Sequence, residues 1–206
     1  MSRFSILKFI KELHRPVFTT QELAHFSGKS LSATTQGLNF LQRQEVVFKV
    51  CRGVWAEVGS KLLSPCAVIP FLFSGQRAYV SFISALHLHG IIEQIPQVVT
   101  LASMKHTKII HTKIATFSVH QIAPSFFKGF GWYKGQGSFL IAEPEKALVD
   151  CLYLSTRKKK QFGYFPELDF FKTFSFRKAK EWVKIISNAK IRISVQKKLD
   201  KLFQTK

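Results

Sequence analysis

Acidic side chains are scarce in this sequence: 12 Asp and Glu stand against 31 Lys and Arg over 206 residues, a formal net charge of +19. So large an imbalance raises the potential near any polyanion and predicts association that weakens with salt. Charge alone does not choose among DNA-binding, RNA-binding and membrane-surface proteins. Cysteine is scarce too. Cys51, Cys66 and Cys151 are odd in number, widely spaced and free of any CxxC pair, which argues against a disulfide framework and a zinc ribbon and fits a reducing compartment. No run approaches the roughly 18 apolar residues of a membrane span. The first eleven residues alternate charged and apolar side chains instead of forming a signal peptide's apolar core. The expectation is a soluble, cytoplasmic protein with no membrane partner.

Catalytic signatures are also missing. Ser81 and Ser84 lack a G-x-S-x-G context, and the glycines at 129, 131, 135 and 137 are not followed by a phosphate-loop lysine and helix. Glu143 and Glu145 suit a helix start, with Asp150 too far round the helix to complete a cluster with both. His87 and His89 sit two apart, so on a helix they point about 200° away from each other and cannot share an ion. No catalytic residue, metal or other cofactor is expected, and the chain reads as a non-enzyme.

What is present begins in the first sixty residues. Phe4, Leu7, Ile10 and Leu13 recur at helical spacing, and Pro16 ends that helix. Thr19 or Thr20 caps a second helix, with Glu22 in capping-box spacing to Thr19. Leu23, Ala24 and Phe26 supply its apolar side, and Gly28-Lys29-Ser30 makes a turn. In a third helix Leu31, Thr34, Leu38 and Leu41 share one face, while Ser32, Thr35, Gln36 and Asn39 lie away from it. Gly37 weakens the middle of that helix by about 1 kcal/mol against Ala and leaves room for a neighbouring helix or backbone. Val46 to Ala56 reads as a β-hairpin with Lys49 and Arg52 near its tip. This order predicts a winged helix-turn-helix, in which one helix enters a DNA major groove. Gln36 and Asn39 can bond an adenine edge, and Ser32 and Thr35 can reach bases or phosphates. Lys29, Arg43, Lys49 and Arg52 read as phosphate contacts that fix register. The competing reading is a protein-interaction module whose polar face is merely solvated.

Residues 57 to 76, broken by Pro65 and Pro70, look like a connector. A second unit then offers a helix over Ala78–Leu88 with Gly90 at its end. Strands are expected at Val98–Ala102, Lys108–Ile114 and Thr116–Ile122, a glycine-rich loop or hairpin at Gly129–Gly137, a short strand at Phe139–Ala142, and a helix from Pro144 to about Leu154. From Thr156 onward, fifteen Lys or Arg face four acids. Phe176, Ala179, Val183 and Ile186 make a helical stripe there, and Val195, Leu199 and Leu202 make another. The cluster Arg157, Lys158, Lys159 and Lys160 suits either a nucleic-acid or partner contact or a solvated loop. Seven aromatic residues between Phe162 and Phe176 suit core burial better than base stacking. The predicted architecture is α+β in two domains. Residues 1–58 form a winged helix-turn-helix, and 59–206 a mixed α/β domain ending in a basic helical extension over 156–206.

Three blocks carry a family resemblance. Ala78-Tyr79-Val80-Ser81-Phe82-Ile83-Ser84-Ala85-Leu86-His87-Leu88-His89-Gly90-Ile91-Ile92, followed by Glu93-Gln94-Ile95-Pro96, resembles a motif of the AbiEi family. Ile141-Ala142-Glu143-Pro144-Glu145-Lys146-Ala147-Leu148-Val149-Asp150 resembles that family's second landmark. Arg52-Gly53-Val54-Trp55-Ala56 resembles its wing, with Trp55 where tyrosine is more usual. The resemblance spans roughly residues 5 to 155. It implies a winged-helix domain joined to an antitoxin domain of a type IV toxin–antitoxin, or abortive-infection, system. Such a protein represses its own operon and counters a nucleotidyltransferase-like toxin. The implied partners are double-stranded operator DNA and a cognate toxin, with two copies loaded on inverted repeats by dimerisation or cooperativity. A regulator without a toxin partner, and an RNA-binding accessory protein using the basic C-terminal quarter, are the alternatives.

Overall fold

The computed structural model describes residues 6–73, 77–135, 138–157, 162 and 164–204, the side chain of Phe203 excepted. Phe4 lies outside the described residues. The protein is a mixed α/β chain that divides into two compact units: the chain before Arg77 groups with 111–115, Gly135 and Ser138, and the remainder from Arg77 forms the second. The stretch after residue 58, expected to begin the second domain, therefore belongs with the first unit. It carries a short helix, α4 (Ile69–Leu72), and buries Val68, Ile69 and Phe73.

The first unit runs α1 (Ile6–Glu12), β1 (Val17–Thr19), α2 (Thr20–Ser27), α3 (Leu31–Arg43), β2 (Val47–Cys51) and β3 (Val54–Glu57), followed by α4. Thr19 caps α2 as its spacing predicts: its hydroxyl accepts from the Glu22 N–H at 3.0 Å, and the Glu22 carboxylate reaches back to the Thr19 N–H. Gly28 ends the helix in the left-handed region, at φ 66°. The hydroxyl of Ser30 then caps α3, accepting from the Ala33 N–H at 3.2 Å. Strand β1 was not read from the sequence, being only three residues long. It completes an antiparallel sheet of order β1-β3-β2. Ile6, Ile10, Phe18, Leu23, Leu38, Leu41, Val47 and Trp55 form one apolar core, and the Trp55 indole N–H donates to the Thr20 hydroxyl at 2.9 Å.

Two apolar residues depart from expectation. Leu31 is 53% exposed and Phe26 48% exposed. Leu31 occupies the first position of α3, with no preceding turn to pack against, and Phe26 lies in the last turn of α2. There its ring meets Phe9 edge-on, at 6.0 Å between centroids. Gly37 lies over Ile6. A methyl group on it would sit 3.4 Å from the Ile6 Cβ, an ordinary van der Waals separation. Gly37→Ala is therefore expected to raise stability by up to about 1 kcal/mol, because helix propensity improves without a clash. A lowered midpoint in thermal unfolding would contradict this.

The second unit is built on a six-stranded sheet of order β6-β7-β5-β4-β9-β8. Its strands are β4 (Ala78–Val80), β5 (Val99–Ser103), β6 (Lys108–His111), β7 (Thr116–Gln121), β8 (Phe130–Trp132) and β9 (Leu140–Ala142), and its helices are α5 (Phe82–Leu88), α6 (Pro144–Ser155), α7 (Phe176–Lys184) and α8 (Ala189–Gln204). The expected helix over Ala78–Leu88 is corrected. Its first three residues are the central strand β4, antiparallel to β5 and parallel to β9. All three are buried, and an all-apolar run carries no alternation that separates strand from buried helix. Strand β5 also runs parallel to β7.

Gly90 follows α5 at φ 72°, as the end of that helix required. Helix α6 begins at Pro144 and is buried from Glu145 to Ser155. The C-terminal quarter is part of the packed body, not an appendage. Ala179, Val183 and Ile186 bury one stripe of α7 and its C-terminal end, Val195 and Leu199 bury one of α8, and both helices pack on α6. Among the described residues no helix is long and apolar enough to cross a membrane.

Candidate nucleic-acid interface

Helix α3 buries Thr34, Leu38 and Leu41 against the core of the first unit. Ser32, Thr35, Gln36, Asn39 and Arg43 are exposed. Their spacing puts them on one stripe of the helix, because positions three, four and seven apart face the same way. The stripe is held in place from behind, so its polar groups are presented by a rigid element. Thr35 differs from its neighbours in that its hydroxyl already donates to the Leu31 carbonyl at 2.7 Å, leaving its oxygen as an acceptor. Phe40 was not singled out from the sequence, since phenylalanine on a helix is usually buried. Here it is 58% exposed, one turn beyond Gln36.

The hairpin places its cations as expected. Cys51 and Val54 are cross-strand partners, so Arg52 and Gly53 form the tip, with Gly53 at φ 76°. Arg52 is exposed. Lys49 lies opposite Trp55 with its ammonium 5.9 Å from the ring centroid, a spacing at which the ring holds the lysine stem while its head stays in water. Lys29 is half-buried in the turn before α3. All eight proposed DNA contacts belong to the first unit, on α3, the turn before it and the hairpin.

The second cluster fares differently. Lys158, Lys159 and Lys160 lie outside the described residues. Arg157 is already engaged within the protein: its guanidinium donates to the Gln121 carbonyl at 3.0 Å and to the Tyr153 hydroxyl at 2.7 Å, and lies 4.7 Å from the Tyr153 ring centroid. It is better explained as holding α6 against β7 than as a nucleic-acid contact. Phe170, Phe174 and Phe176 pack on one another at 4.6–5.1 Å between ring centroids, so these rings do not form an open stacking platform.

A polar network in the core of the second unit was missed from the sequence. Lys146 and Asp150, four apart on α6, form a fully buried ion pair. The Asp150 carboxylate also accepts from the Ser81 hydroxyl at 2.7 Å and from the Tyr79 hydroxyl at 3.1 Å. The Lys146 ammonium reaches the Tyr79 oxygen at 3.1 Å and sits 3.8 Å over the Phe126 ring. Burial pushes the Lys146 pKa down and the Asp150 pKa up, while their pairing opposes both shifts. Tyr79 is raised well above its ordinary range, first by burial and then by the Asp150 charge. The spacing of Lys146 and Asp150 was legible. That the helix face carrying them turns inward was not.

Glu143 and Glu145 begin α6 as expected and also tie it to α7, through Lys178 at 3.1 and 3.8 Å and through the Ser175 N–H, which donates to Glu145 at 3.0 Å. His87 and His89 bond separate backbone carbonyls, those of Ile92 and Ala142. Among the described residues no three His, Cys, Asp or Glu side chains come together. The cysteines are free thiols, and burial pushes Cys66 up to about 11, far from a reactive thiolate. No protein-family model matches the chain, and no curated protein matches it.

Proposed function

We propose that the chain is a DNA-binding transcriptional regulator whose first unit is a winged helix-turn-helix. The observation that carries this reading is the division of α3. One face is locked into the core by Thr34, Leu38 and Leu41, and the other presents Ser32, Gln36 and Asn39 to solvent. The three-stranded sheet β1-β3-β2, with Arg52 at its hairpin tip, supports the same reading. Helix α3 enters the major groove, Gln36 and Asn39 read base edges, and Phe40 offers an apolar contact for a thymine methyl group. Lys29, Arg43, Lys49 and Arg52 hold phosphates. Repression is steric, by occupation of an operator. The motif resemblance over residues 78–96 and 141–150 extends the proposal to an AbiEi-type antitoxin, the second unit meeting a cognate toxin, with no catalysis by this chain.

The test is binding to DNA from upstream of the chain's own gene against scrambled duplex of equal length at about 150 mM salt, where weak non-specific contacts are screened. A preference of roughly a thousandfold or more is expected. Equal affinity for both duplexes, falling steeply with salt, would overturn the reading in favour of a general polyanion grip.

A further inference from the structure

The C-terminal end of α6, the irregular stretch 164–170 and the last turns of α8 border an open cavity of about 630 Å³, within the size range of sites for small organic ligands. Leu152, Phe165, Phe170 and Leu202 give it an apolar lining. Lys198 supplies a cation on its wall, and that cation is fixed. The Ser155 hydroxyl donates to the Leu152 carbonyl at 2.7 Å, which leaves its oxygen free to accept from the Lys198 ammonium, also at 2.7 Å. The Ser155 carbonyl accepts from the same ammonium at 3.2 Å. An ammonium carries three N–H groups, so one remains without a protein partner among the described residues. The conformational entropy of ordering this lysine is lost on folding, not on binding. Lys201 adds a second positive charge to the lining and Glu167 a single negative one, so the lining is net positive.

From this arrangement we infer that the cavity binds a small amphipathic carboxylate, its carboxylate on Lys198 and its apolar body against Leu152, Phe170 and Leu202. A neutral apolar ligand would cover the third N–H of Lys198 without offering it an acceptor. A ligand with several charges would have to bury them against the apolar lining. The inference is independent of the DNA-binding reading and stands on the second unit alone.

Decanoate and decanol, matched in chain length, separate the charge from the apolar body. Isothermal titration of the full chain with decanoate, below its micelle concentration, is expected to show saturable one-to-one binding, with decanol at least tenfold weaker. Lys198→Met is expected to weaken decanoate at least tenfold and leave decanol within about twofold. Tyr164 is 97% exposed on the cavity rim, so Tyr164→Asp tests the same electrostatics without touching the core, and it is expected to weaken decanoate severalfold. Lys184 is exposed on α7, outside the lining, and Lys184→Gln is expected to leave decanoate unchanged. The inference is overturned by absence of binding, by equal affinity for decanoate and decanol, or by Lys184→Gln weakening decanoate as much as Lys198→Met does. If Lys198→Met does not fold, an unchanged decanoate affinity in Tyr164→Asp overturns it.

Discussion

Asp150→Ala is expected to destabilise the protein by about 3–5 kcal/mol, because it strands the fully buried Lys146 ammonium without its counter-charge. The double substitution Lys146→Met with Asp150→Leu is expected to recover most of that loss, since it removes both charges and fills their volume with apolar atoms. The single variants should also differ in the sign of their pH dependence. In Asp150→Ala, burial is no longer opposed by the Asp150 carboxylate and lowers the folded Lys146 pKa further below the unfolded 10.5. The unfolded chain then binds more protons, and stability rises with pH toward that value. In Lys146→Met, burial raises Asp150 above the unfolded 3.8. The folded chain binds more protons, and stability falls as pH rises through the window between the two values. Urea unfolding followed by circular dichroism at pH 5, 7 and 9 reads both trends. An Asp150→Ala variant within about 1 kcal/mol of the parent chain at pH 7 would mean that Lys146 is not held as a buried cation.

Gln36→Ala is expected to reduce the preference for the operator over scrambled duplex by about 1–3 kcal/mol, roughly five- to 150-fold, with little change in affinity for the scrambled sequence. Lys49→Ala should do the opposite: it weakens both duplexes alike and lowers the slope of log affinity against log salt by about one. The contrast follows from position. Gln36 is exposed on the solvent face of α3, where an amide can bond two atoms of one base, whereas Lys49 is an exposed hairpin cation beside Trp55, read as a phosphate contact. Measured on the same two duplexes, the pair of variants separates base reading from charge. If both change specific and non-specific binding equally, α3 is not the element that reads sequence.

The local signals were the ones the sequence carried by itself. The capping box Thr19–Glu22, the helix-ending glycines at 28 and 90, the N-terminal Pro144 and the helical stripes of α7 and α8 each depend on neighbours within a turn or two. The solvent-facing stripe of α3 was legible for the same reason, since its spacing alone sets the face. What depended on distant partners was not. Strand β4 is a strand because β5 and β9 flank it on either side, and β1 because β3 accepts it. Arg157 looked like part of a basic cluster until its guanidinium met Gln121 and Tyr153. Lys146 and Asp150 stand four apart in the sequence with nothing local to mark them as buried. Only the burial of α6 among α5, α7 and α8 turned them into the ionic centre of the core, because the cost of a charge is set by what surrounds it and not by its place in the chain.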